Sequence, residues 1–389
     1  MRRLSVRRML SAAAVAAALA GLSAGPTGPV AEATGGHPAT HHPVELTSDA
    51  PVTVVAGGLN GPRSLAWGRH GHLMVSEAGT IPATCDGTDP ATKVCYGATA
   101  SIADVSSGVP VRIRTGLPSL YFSEGMIGPN GLTYADGTLY ALETASPQSV
   151  PAGLPADLAA TLTRQYGALL KITGGSVSVV ANPGDTDYRW MMSHTDQTTS
   201  VPFADSYSVT PKPGGGFYTV DAAANTLDSV DQHGHVTVLT TFPRTPFGTD
   251  AVPTCVAVDP DGAVYVGQFT GFGNSATAAN VYRYSPKTGA LTVWQSGFST
   301  ISGCGFGANG DFYVTELDTT GFPSSLPPDG VVVQIGRDGE RTVLGAGKLY
   351  APAGFLAGPD GSVYVANKTT LGPSGTTDNE TAGEIVRIG

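Results

Sequence analysis

Six segments of this chain share one pattern, and an internal repeat restricts the fold more than any other feature of a sequence. Each has an apolar strand, usually led by Pro or Ser, then a tight turn ending in Gly, then a strongly β-forming strand. They are GPRSLAWGRHGHLMVSE (61–77), GPNGLTYADGTLYALE (128–143), DSYSVTPKPGGGFYTVD (205–221), VPTCVAVDPDGAVYVGQ (252–268), ISGCGFGANGDFYVTE (301–316) and APAGFLAGPDGSVYVAN (351–367). Measured from Gly71 through Gly137, Gly215, Gly262, Gly310 and Gly361, the spacings are 66, 78, 47, 48 and 51 residues. The last three suit a four-stranded propeller blade, and the first two suit a blade carrying an insertion.

Outer hairpins complete each unit, as in SIADVSSGVPVRIRTGL (101–117) and NVYRYSPKTGALTVWQSGF (280–298), with Gly-containing turns between alternating strands. The sixth unit stops at GEIVRIG (383–389), one strand short, while PVTVVAGGL (51–59) matches the fourth strands of the other units. The fold expected is therefore all-β: a six-bladed β-propeller over residues 51–389, closed by an N-terminal strand that completes the last blade and removes an exposed edge. Composition agrees, with 52 Gly and 29 Pro in 389 residues and only 13% charged residues, about half the usual quarter. One helix is expected, within LPADLAATLTRQYGALL (154–170).

Residues 1–33 read as a signal peptide: Arg2, Arg3, Arg7 and Arg8, an apolar run from Met9 to Leu22, and Ala31-Glu32-Ala33 as the cleavage site. Ser11 interrupts the apolar pair a twin-arginine signal would show, so the general secretory route is expected. Residues 34–50 form a polar leader. The apolar run is shorter than a bilayer needs, and a secreted, monomeric, extracellular protein with no membrane span is expected. Net charge is −10; removing residues 1–33 takes away four arginines and one glutamate and leaves −13. Such an acidic surface argues against nucleic acid as a partner.

Four cysteines in an exported chain are disulfide candidates. Cys85 and Cys95 bracket a polar loop and are expected to pair. Cys255 and Cys304 fall at equivalent phases of adjacent inner strands, where a bridge and two buried thiols are both open.

The long insertions, 78–100, 144–166, 183–204, 269–279, 317–330 and 368–382, all fall on the connections that share one face of the disc. Binding belongs on such an elaborated face. Six residues past each anchoring glycine stand Glu77, Glu143, Asp221, Gln268, Glu316 and Asn367, each ending an otherwise apolar strand face. Glu77, Glu143, Asp221 and Glu316 are candidate ligands for calcium, which prefers oxygen donors. The alternative role, hydrogen bonding to loop backbone in each repeat, is the commoner one for repeat-phased polar residues. The stretch NPGDTDYRWMMSHTDQTT (182–199) carries the most ligand-like side chains. Arg189, Trp190 and His194, with Gln268 and Asn367, are the candidate ligand-binding residues.

No GxSxG elbow, HExxH, P-loop or helix-opening GxGxxG is present. The runs GGLNGPRSLAWGRHGHLMVSEAG, VCYGATASI and ADSYSVTPKPGGGFYTVDAAANTLDSVDQHG resemble the secreted ScyD/ScyE family, named after proteins of the scytonemin biosynthetic cluster, and the units also resemble NHL-type repeats. The resemblance covers about 51–389. SVPFADSYSV departs from it, standing where an Asp-Ser-Asn-Pro-Tyr type of run belongs. It implies an exported six-bladed propeller without an established catalytic activity, so no catalytic residue carries over. Two functions follow as expectations. One is a non-catalytic binder of an extracellular protein, glycan or small metabolite; the other is a calcium-dependent hydrolase or lactonase with its metal at the mouth of the central channel.

Overall fold

The computed structural model describes residues 46–87, 93–122, 125–196, 203–270, 277–321, 329–369 and 383–389. The signal segment and most of the polar leader lie outside them. At its inner end that leader is not polar surface, because Leu46 and Ala50 are buried against Val386 and Ile388.

The strands assort into six antiparallel sheets. Four take consecutive strands in order. Sheet two runs Pro129–Ala135, Thr138–Glu143, Leu169–Thr173, Ser176–Ala181, and sheet three runs Ser206–Pro211, Phe217–Asp221, Thr226–Val230, Val236–Thr241. Sheet four runs Pro253–Val258, Val264–Gln268, Ala279–Tyr284, Leu291–Phe298, and sheet five Ile301–Phe306, Phe312–Glu316, Asp329–Ile335, Arg341–Tyr350. Sheet six places Ala353–Ala357, Val363–Asn367 and Gly383–Ile388 beside Val52–Leu59, with Val52 opposite Ile388 and Val54 opposite Val386. The N-terminal strand thus occupies the fourth place of the C-terminal sheet, as the missing strand required.

Sheet one is larger. Pro62–Trp67, Leu73–Glu77, Val94–Asp104 and Val111–Phe122 are extended by Gly125–Ile127, while Thr84–Asp86 pairs with Val94–Tyr96. Part of the insertion expected at 78–100 is therefore sheet, and a Cys85–Cys95 disulfide joins its two arms.

The first strands of successive sheets pack side by side in a closed cycle, sheet six returning to sheet one. Hydrophobic burial follows that cycle instead of filling one central core. Clusters lie in the seams between sheets: Ile102, Leu132 and Leu170 between sheets one and two, or Tyr265, Phe312 and Val314 between four and five. A strand buried on both faces reads as a continuous apolar run, and Leu73–Glu77, Val264–Gln268 and Phe312–Glu316 are buried at every position. Outer strands meet solvent on one face, which leaves Val111, Ile113 and Val293 exposed.

Two helices sit on the elaborated side. Ala156–Gln165 lies within the expected segment. Pro183–Ser193 is not foreshadowed by the sequence pattern: Asn182 caps it by accepting from the Asp185 N–H at 2.8 Å, and Pro183 occupies its first turn.

Candidate functional site

The first strands surround a cavity of about 420 Å³, lined by residues from all six sheets. Its walls are shaped by one irregularity repeated six times. In every sheet the pairing of first and second strands skips near the start of the first strand: between Pro62 and Leu65, Pro129 and Gly131, Ser206 and Ser208, Pro253 and Cys255, Ile301 and Gly303, and Ala353 and Leu356. Such bulges re-aim a side chain out of the strand's alternation. Here Arg63, Asn130, Tyr207, Thr254 and Ser302 occupy the skipped positions, and all five line the cavity. They line one end of the cavity, where the first strands begin, and Asn130, Thr254 and Ser302 are buried there.

Some of these groups hold the ring together. Ser302 Oγ donates to the Pro352 carbonyl at 2.7 Å and Thr254 Oγ1 donates to the Ile301 carbonyl, tying sheets five to six and four to five. A Cys255–Cys304 disulfide, with Cα atoms 5.6 Å apart, crosses the same seam between sheets four and five, which resolves the alternative left open by the sequence. Further along the first strands the lining mixes Leu132, Val258, Phe306, Phe355 and Trp67 with the hydroxyls of Ser64, Thr133, Ser208 and Thr210. Trp67 is held by its Nε1–H bond to the Ala357 carbonyl at 2.6 Å and an edge contact with Tyr364.

Polar chemistry concentrates on sheets one to three. Arg63 Nη2 donates to the Met126 carbonyl, while its buried Nε has no hydrogen-bond partner among the described residues. Burial pulls the guanidinium pKa down, opposed by the nearby Tyr207 and Asp205. Burial raises the Asp205 carboxyl, against a Thr144 hydrogen bond and the Arg63 charge, and it raises Tyr207 as well. Asp205 does not itself line the cavity.

The repeat-phased polar residues stand at the rim but do not converge: among the described residues no three His, Cys, Asp or Glu side chains gather in a metal-binding group. Glu77 is held by Arg112 at 2.8 and 2.9 Å and takes the Asn60 N–H at 2.8 Å. Asp221 accepts the N–H groups of Asp205, Ala223 and Ala224, and Glu316 that of Ser299 at 2.7 Å. Gln268 accepts from Asn280, and Asn367 takes the Tyr350 N–H while donating to Glu384. In sheets one, three, five and six the residue thus anchors the backbone just ahead of its own first strand. In sheet four it serves the third strand instead. Oxygens committed in this way do not fit a shared calcium ion. Glu143 breaks the pattern, because the connection ahead of sheet two is drawn into pairing as Gly125–Ile127. Its buried carboxyl has no hydrogen-bond partner among the described residues, and burial pushes its pKa well up.

The other candidates lie apart from the cavity. Arg189 pairs with Asp185 one turn away on the helix Pro183–Ser193, and Trp190 stacks on His194 with ring centroids 4.4 Å apart. None of Arg189, Trp190, His194, Gln268 and Asn367 lines the channel. The residues at the skipped positions escape a reading of the sequence because a bulge is invisible in an alternating pattern. A signal exists: the position just after the residue that opens the first strand is polar in five of the six repeats.

No protein-family model and no curated protein matches this sequence. Solved propellers do share its fold. A gluconolactonase from Xanthomonas campestris superposes with a TM-score of 0.52 at 10% identity, over 88% of this chain and 91% of that one. The PQQ-bound aldose sugar dehydrogenase of Streptomyces coelicolor gives 0.49 at 13% identity, over 89% and 100%. Virginiamycin B lyase from Staphylococcus aureus gives 0.43 at 12%, over 82% of each chain. At these identities the likeness is one of fold, and the chain is a β-propeller. No helix among the described residues is long and apolar enough to cross a membrane.

Proposed function

We propose that this protein is an exported, ligand-binding propeller that takes a small molecule into its central channel from the elaborated face. The observation that carries the reading is the cavity itself: about 420 Å³, lined by all six sheets, with one guanidinium, an amide and several hydroxyls set among aliphatic and aromatic side chains. Its volume lies within the usual range for a small-molecule site. A rigid wall of first strands, tied by the Cys255–Cys304 bridge, would hold those groups in place without reorganisation on binding. The export signal, the two disulfides and the ScyD/ScyE resemblance support an extracellular setting.

A second reading, a hydrolase or lactonase, is favoured by one observation. The Asp205 carboxyl is raised by burial beside Arg63 and Tyr207, which suits a group that holds or passes a proton near a cation.

The test is a thermal-shift screen of small metabolites and lactones on the wild type and on Val258→Trp, which narrows the channel. Compounds that stabilise only the wild type are the expected result. Equal shifts in both proteins would place binding outside the channel. Turnover of a lactone that is lost in Asp205→Asn would favour the second reading.

A further inference from the structure

Arg63 is the only charged side chain among the described residues that line the cavity, in a chain whose net charge is −10. No described carboxylate lies close enough to pair with it directly: the ion pairs of the described residues engage other cations. Asp205 tempers the charge at a distance without lining the cavity. A guanidinium offers five N–H donors in a rigid fork. Its Nη2–H bonds the Met126 carbonyl, and the buried Nε–H has no partner among the described residues. Burying a donor and a charge without a partner is costly, so an oxyanion at this place would satisfy both deficits at once.

The surroundings narrow the ligand further. Asn130 and Tyr207 flank Arg63 on the next two sheets and supply neutral polar edges. Thr254 and Ser302, across the cavity, donate their hydroxyls to backbone carbonyls. Away from these groups, Leu132, Val258, Phe306, Phe355 and Trp67 offer apolar surface and the indole face, set among the hydroxyls of Ser64, Thr133, Ser208 and Thr210. The charged requirement is therefore one-sided, and the rest of the site takes a neutral body.

The geometry points to a small molecule bearing one carboxylate-like anion on a neutral body with an aromatic face. The anion sits on Arg63 and the body lies toward Trp67. This assignment rests on the channel being the binding site. The acidic exterior does not oppose it, because surface charges are screened beyond about 8–10 Å at physiological salt, whereas a desolvated guanidinium acts at contact with little screening.

The experiment is isothermal titration of the full-length protein with 2-naphthoate and its neutral isostere 2-naphthamide, on the wild type, Arg63→Gln and Arg63→Lys. Thermal melts of each variant confirm folding. The wild type is expected to bind the naphthoate at least ~10-fold more tightly than the amide, the scale of one charge-assisted hydrogen bond. R63Q should lose that preference while keeping its amide affinity, and R63K should retain part of it. Equal wild-type affinities for the two probes would overturn the anionic assignment and leave the channel reading standing. A preference that survives in R63Q would overturn Arg63 as the anchor. Absence of binding by both probes would overturn the assignment and the channel reading together. The wild-type comparison needs no variant to fold.

Discussion

At the scale of single residues, position along the strand decides which polar groups anchor structure and which remain available. Glu77, Asp221, Glu316 and Asn367 are legible as a set because they recur in phase. Phase marks a shared structural role, and each of the four accepts a backbone N–H ahead of its first strand. Arg63 is legible only through comparison of the repeats, since nothing in GPRSLAW alone shows that the chain skips a pairing there. Another residue hidden in the sequence is Asp187, whose carboxyl is buried beneath its helix, accepts from Thr226 at 2.9 Å and faces Asp228. Burial first, then the neighbouring aspartates, raises the Asp187 carboxyl well above its usual value, and burial and Asp221 do the same to Asp228. A raised folded-state pKa means that the folded protein binds protons more tightly than the unfolded chain. Stability then falls as pH climbs from the ordinary carboxylate range, near 4, towards those raised values. Asp228→Asn removes one ionisation at nearly constant shape. Its melting temperature at pH 8 should exceed that of the wild type by roughly 1–3 °C, the scale of ~1 kcal/mol in a protein of this size, with the gap closing by pH 5. Parallel pH profiles for the two proteins would contradict this.

At the scale of elements, the strands are readable and the second helix is not. Alternation and Gly-containing turns mark a strand locally, whereas Pro183–Ser193 begins NPGD, which resembles a loop. Its glycine has a packing purpose: a Cβ at Gly184 would fall 2.4 Å from the Ala145 carbonyl oxygen and 2.6 Å from Gly167 Cα. That close approach of two backbones is a tertiary fact, absent from local propensity. The bridge across the seam between sheets four and five illustrates the same point, since equivalent phase places Cys255 and Cys304 side by side without saying that they bond. They lie 49 residues apart in sequence. By the chain-entropy relation a loop of that length stabilises the fold by about 4 kcal/mol. The double variant Cys255→Ala/Cys304→Ala should lose stability on that scale in chemical denaturation, while Cys85→Ala/Cys95→Ala, closing a 10-residue separation, should lose less. The reverse order would show that the inner seam does not depend on its bridge.

At the scale of the whole molecule, closure is the most legible property of all. A C-terminal unit one strand short and an unassigned N-terminal strand have one economical solution, and Val52–Leu59 beside Gly383–Ile388 is that solution. Low charge also finds its reason in the apolar seams, where strands are covered on both faces and few ionisable side chains fit. The site is less legible because it belongs to no single repeat. Residues from every first strand build it, and only the closed cycle brings them together. Among the described residues, the side chains of the long connections are not the ones that line the cavity. The most direct measurement is a difference electron-density map from crystals soaked in 2-naphthoate. Density is expected inside the ring of first strands, with the carboxylate on Arg63 and the rings toward Trp67. An empty channel with density elsewhere, such as over Trp190 and His194, would contradict the account.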